Sequence, residues 1–178
     1  MSFYQVPRFV FDPVGKTGIC SDATILLPAD FTGGLEEQIN NYKPKQVIRN
    51  KSKDNIQDSD WWSQYTNTVD WVIAITQGLG DDATWITECG LEVANKGIVI
   101  LDRLTFLEPT RKREAFLQES NLVDLKILSP RPTFRADGKQ LKDSVTSAWF
   151  RFQKSGAART STFIEYEVGW PHPKKLRQ

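Results

Sequence analysis

Histidine is almost missing from this chain. His172 is the one imidazole in 178 residues, and it stands between Pro171 and Pro173 near the carboxyl end, in what reads as a loose tail. Ser-His-Asp and Cys-His chemistry needs a well-placed imidazole, so most schemes of nucleophilic catalysis fall away. Cysteine is nearly as scarce. Cys20 and Cys89 are too few for a disulfide framework and have no metal-ligand spacing, so they read as small buried thiols. Zinc centres draw on histidines or several cysteines, and no metal is expected here. Long apolar runs are lacking too. Ile98–Leu101 is among the longest, far short of a bilayer span, and the opening MSFYQVPRF has no signal-peptide core. The expected location is therefore the cytoplasm, with no membrane partner. Lys and Arg number 23 against 22 Asp and Glu, a net charge of +1, so no global field draws the chain to nucleic acid or lipid. The dinucleotide fingerprint G-x-G-x-x-G and the phosphate loop are both absent. Chemistry must come from carboxylates, hydroxyls, amides or a bound cofactor.

What is present reads as a soluble globular protein, with 39% hydrophobic and 25% charged residues. The length suits one domain over 1–178 and buries a core without disulfides. Val69–Thr76 is an apolar, β-rich strand that stops before Gly78 and Gly80. Ala83–Asn95 follows with Ile86, Cys89, Gly90, Val93 and Ala94 at helical spacing behind Asp81 and Asp82. Ile98–Leu101 is a second buried strand. A polar helix is expected over Pro109–Gln118, with Pro109 in its first turn, then a strand over Leu122–Leu128. Alternation at this spacing indicates parallel βαβ units. Earlier in the chain, Ala23–Leu27 leads to Thr32-Gly33-Gly34, a helix over Leu35–Tyr42 and a strand over Gln46–Arg49, the first half of a nucleotide-binding unit. Val145–Gln153 and Phe163–Val168 alternate large and polar residues, which fits two strands, antiparallel to each other. The expected class is α/β, a mostly parallel sheet with an antiparallel edge.

Asp30-Phe31-Thr32-Gly33-Gly34 can bring backbone close to a ligand at a helix start, though two adjacent glycines are a weak signal that a plain tight turn explains better. Lys43, Lys45, Arg49, Lys51 and Lys53 form a basic stretch, and Arg111, Lys112, Arg113, Arg131 and Arg135 form a second group. Such residues at one rim can contact phosphates, or simply form a solvated face. The six tryptophans read as packing, with Trp61-Trp62 the exception to check, since adjacent indoles do not easily face one core.

Residues 70–152 resemble the S-adenosylmethionine-dependent DNA methyltransferases of the adenine-N6 type. The resemblance lies in Leu101–Pro109 (LDRLTFLEP), Ser129–Phe134 (SPRPTF), Asp137-Gly138-Lys139, Asp143-Ser144 and Ala148-Trp149-Phe150, with Phe3-Tyr4-Gln5-Val6-Pro7 as a short aromatic-proline motif. It implies a Rossmann-like methyltransferase sheet with an antiparallel C-terminal hairpin. It further implies S-adenosylmethionine as cofactor, lying on Tyr4, Pro28, Asp30, Gly33, Gly34 and Asn50, and a catalytic loop at Thr76 and Gln77. The family's loop holds an amino group with Asp or Asn before two prolines and stacks a flipped base on an aromatic ring. Here that loop reads Ile75-Thr76-Gln77-Gly78, with neither proline nor ring. Phe31 stands for a glycine of the cofactor loop. Arg49-Asn50-Lys51 stands where an acidic residue would hold ribose hydroxyls. Three departures together imply a methyltransferase fold that has lost catalysis and binds nucleic acid, DNA in particular, or a protein partner. The alternative is a divergent methyltransferase acting on an amino group of DNA.

Overall fold

The computed structural model describes residues 6–111, 113–129, 131–134 and 145–154, and the backbone of Phe163–Val168. In chain order the elements are α1 (Asp12–Gly15), β1 (Thr24–Leu27), α2 (Gly34–Asn40), β2 (Gln46–Arg49), α3 (Ser59–Ser63), β3 (Trp71–Ile75), α4 (Asp82–Val93), β4 (Gly97–Arg103), α5 (Glu114–Glu119), β5 (Asn121–Ser129), β6 (Ser147–Gln153) and β7 (Phe163–Val168). Short 3-10 turns occupy Lys53–Gln57 and Leu104–Leu107.

The strands form one seven-stranded sheet in the order β2-β1-β3-β4-β6-β5-β7. Only β6 opposes the rest: it is antiparallel to both β4 and β5, and the other four pairings are parallel. The mixed α/β sheet, mostly parallel with an antiparallel C-terminal hairpin, is thus present, and β5 with β6 makes the hairpin. Phe163–Val168 runs opposite to β6, as expected, without pairing with it. Both edges of β6 are taken by β4 and β5, so β7 adds to the outer edge of β5.

Side chains alternate between two cores, as strand geometry requires. Val72, Ala74, Ile98, Ile100, Phe150 and Phe152 pack with residues of α3, α4 and α5. Ile25, Leu27, Ile73, Val99, Leu101 and Trp149 pack with the N-terminal segment and α2. The six residues Gly97–Asp102 of β4 are all buried, the mark of a strand covered on both faces. Gly90 lets α4 come close, since a Cβ there would lie 2.4 Å from Ile98 Cδ1.

The N-terminal cover was not legible as structure. Val10 and Phe11 are fully buried, the Trp149 indole donates to the Val10 carbonyl at 2.8 Å, and Phe11 meets the Trp149 ring edge-on at 5.6 Å. Two expectations need correction. The helix expected over Pro109–Gln118 begins only at Glu114, because Leu104–Leu107 has wound into a 3-10 turn and Arg113 binds back to it, donating to the carbonyls of Thr105 and Phe106. Trp61 and Trp62 do share one core: they meet edge-on at 5.1 Å, and both are buried. No helix among the described residues is long and apolar enough to cross a membrane.

Candidate functional site at the carboxyl ends of β1 and β3

The chain leaves β1 toward β2 on one side and enters β3 on the other. Loops diverge at such a switch point, and open α/β sheets hold ligands in the crevice outside the strand ends there. The residues singled out from the sequence fall on its two walls.

The first wall is the β1–α2 loop. Pro28 and Asp30 are buried, and Gly33 has φ 80°, a left-handed turn in which a Cβ is costly. Asp30 Oδ2 accepts from the Glu36 amide at 2.8 Å, which ties the loop to the first turn of α2, while Asp30 Oδ1 is buried with no hydrogen-bond partner among the described residues. Arg49, the last residue of β2, lies over this turn. Its Nη1 would stand 3.3 Å from a Cβ on Gly33 and sits 3.4 Å from the carbonyls of Asp30 and Phe31. Its Nε is 2.8 Å from Glu36 Oε2, an ion pair without the alignment of a hydrogen bond. Val6 closes over Gly34, where a Cβ would meet its own at 3.0 Å. Tyr4 lies outside the described residues.

Asn50 is buried, and its amide bonds inside the chain. Nδ2 donates to the Pro28 carbonyl at 2.9 Å; Oδ1 accepts from the Ser52 amide and from Asn55 Nδ2, both at 3.0 Å. The side chain expected near ribose hydroxyls instead fastens the β1 loop to the β2 loop. Phe31 is half-buried against the core, and Lys53 Nζ stands 5.4 Å from its ring centroid.

The second wall is the end of β3. Thr76 and Gln77 are buried, and both amides donate to the Leu101 carbonyl. Thr76 Oγ1 donates to Asp102 Oδ2 at 2.6 Å, and Ser147 Oγ donates to Gln77 Oε1 at 2.7 Å. The structure therefore joins the expected pair Thr76 and Gln77 to two residues given no role from the sequence. The signal for Asp102 was available: an acidic residue closes the apolar run Ile98–Leu101. Burial pushes the Asp102 carboxyl above its ordinary value, although the Thr76 hydroxyl and the Arg103 amide both favour its charge. Gly78, with φ 92°, is exposed and brings no side chain to the crevice.

Other candidates resolve as structure. The Arg113 guanidinium stacks on Phe106 at 4.6 Å and donates to Thr84 Oγ1, so it braces α5. The indoles of Trp62 and Trp85 both donate to the Ile56 carbonyl at 2.9 Å. Burial raises both thiols, Cys20 and Cys89, to about 12, which leaves them protonated and inert. Arg135, Asp137-Gly138-Lys139, Asp143-Ser144 and His172 lie outside the described residues.

No family model and no curated protein matches the sequence. Solved structures do match. The type I restriction-modification system methyltransferase subunit from Streptococcus thermophilus aligns with a TM-score of 0.65 at 14% identity, over 93% of this chain and 47% of that one. The modification subunit of a proposed type I restriction enzyme from Vibrio vulnificus gives 0.62 at 13% identity, over 97% and 48%. A proposed RNA methyltransferase from Pyrococcus horikoshii gives 0.56 at 12% identity, over 81% and 80%. The chain spans about half the length of the two restriction-modification subunits. At such identities the likeness is one of fold: the chain has the sheet architecture that these methyltransferase structures share.

Proposed function

We propose that this protein is a methyltransferase-fold binding module for nucleic acid that no longer transfers methyl groups. One observation carries the reading: Asn50 and Gln77, two of the side chains expected to meet S-adenosylmethionine or its target, each bond within the chain. The Asn50 amide makes its bonds internally, and the Arg49 guanidinium covers the Gly33 turn. The Gln77 oxygen, the acceptor that would hold a target amino group, already accepts from Ser147. These bonds support the inference that the cofactor site is closed. Calorimetry with S-adenosylmethionine and with its demethylated product tests the first half, and no heat from either is expected. A gel shift with single- and double-stranded DNA over a salt series tests the second half. No shift even at low salt would overturn the nucleic-acid assignment and leave a protein partner.

The second reading is a divergent S-adenosylmethionine-dependent methyltransferase acting on an amino group of DNA. Asp102 favours it, since a buried carboxyl raised above its usual range is the kind of group that stands where protons move. Label appearing on DNA from methyl-labelled cofactor would establish this reading and remove the first.

A further inference from the structure

We propose that the surface at the end of β2 binds a phosphate-bearing nucleotide, with Arg49, Lys51 and Lys53 toward the phosphate and Phe31 toward the base. The inference deepens the nucleic-acid reading above and rests on it only for the natural source of the nucleotide. The charge at the end of the second strand decides what part of a nucleotide such a surface favours. A carboxylate there pairs with vicinal ribose hydroxyls, whereas an arginine accommodates a phosphate. Arg49 ends β2, and Lys51 and Lys53 follow at alternate positions, both exposed. The first carboxylate beyond them, Asp54, is turned back on Ser52.

The arginine is held ready. Glu36 engages its Nε and the carbonyls of Asp30 and Phe31 engage Nη1, which leaves Nη2 without a partner among the described residues. A guanidinium presents flat, directional donors to phosphate oxygens, and one already braced loses little freedom on binding. Asp30 and Glu36 also weaken the positive field, so a phosphate needs the two lysines as well as the arginine. Phe31 offers the base a partner, because its ring already takes a cation, Lys53 Nζ, at 5.4 Å. Lysine stems are flexible enough to exchange ring for phosphate.

The test uses the full chain and four probes: adenosine, AMP, ADP and a single-stranded thymidine oligonucleotide, each titrated by fluorescence or calorimetry at low and at high salt. AMP or ADP should bind at least about tenfold tighter than adenosine, a difference of about 1.4 kcal/mol. The exposed double variant Lys51→Gln/Lys53→Gln should fold normally and lose that advantage, and Phe31→Leu should weaken all nucleotide probes together. If the oligonucleotide outbinds AMP and the double variant lowers its salt slope by about 0.7 per lysine, the source is nucleic acid. If AMP competes the oligonucleotide away at equal concentration, the source is a free nucleotide. Adenosine binding as tightly as AMP would overturn the proposal, and so would no binding by any nucleotide. An AMP advantage and a DNA gel shift that both survive in the double variant would also overturn it while leaving the binding-module reading intact.

Discussion

Two aspartates show how burial and bonding compete for one carboxyl. Asp102 accepts hydrogen bonds at 2.6 Å from both the Thr76 hydroxyl and the Arg103 amide, yet desolvation dominates and its pKa rises from the ordinary 3.8. The folded state thus holds its proton more tightly than the unfolded chain does, and this group's contribution to stability declines as pH climbs above 3.8. Asp102→Asn keeps an oxygen for the Arg103 amide and removes the buried charge. It is expected to melt at or above the wild-type temperature at neutral pH and to show no advantage in acid. A neutral-pH loss of more than about 1 kcal/mol would mean that the hydrogen bonds outweigh desolvation after all. Asp70 runs the other way. The Thr24 amide donates to it at 2.9 Å, and Lys96 lies 3.2 Å away, so its pKa is lowered below 3.8. Its contribution is present above 3.8 and is lost as pH falls through the lowered value. Asp70→Asn keeps an oxygen for the Thr24 amide but loses the charge that strengthens that bond, and should cost about 1 kcal/mol at neutral pH, since an exposed Lys partner adds little. Urea melts at neutral and acid pH would show that cost shrinking in acid.

Among the elements, the bend where β4 begins is the most demanding. Gly97 has φ 154°, and a Cβ there would lie 2.2 Å from the Phe152 carbonyl oxygen, which is backbone and cannot rotate away. Gly97→Ala is expected to cost about 3 kcal/mol or more, from strain and the broken β4–β6 ladder together. Circular dichroism against temperature measures it; a shift of a degree or two would show that the ladder yields easily. The seven strands were legible because apolar runs bounded by Gly, Pro and charge repeat through the chain. The four residues of α1 and five of α3 were not, since less than two helical turns carries no periodicity. The start of α5 was misplaced because Pro109 suits a first turn, while the tie from Arg113 to the 3-10 turn depends on contacts that spacing alone does not reveal. Nor did Ser147–Gln153 disclose that it lies between β4 and β5, since a strand pattern is silent about its neighbours.

Over the whole molecule, protection should follow position in the sheet. The amides of β4, buried on both faces and flanked by β3 and β6, are expected to exchange slowest, and those of β2, an edge strand with no fully buried residue, among the fastest. Hydrogen exchange followed by mass spectrometry checks this, and equal protection in β2 and β4 would mean that the sheet opens only as a unit. At this scale the site was half readable. The departures at Phe31, Arg49-Asn50-Lys51 and Ile75–Gly78 stood in the sequence, and they line the switch point in space. The bonds that close it, Asn50 to Pro28 and Gln77 to Ser147, join residues 22 and 70 positions apart and needed the fold to be seen.

The placement of β6 has a consequence in time. A ribosome delivers β1 to β5 first, and none of those five can complete the sheet, because the strand that separates β4 from β5 is still unmade. The hydrogen bond from Trp149 to Val10 spans 139 residues, so the earliest segment also waits for one of the latest to secure it. The edges of β4 and β5 that β6 fills therefore stay open until residue 153 has left the tunnel, and their exposure to chaperones or to wrong pairing is set by the rate of synthesis over that interval.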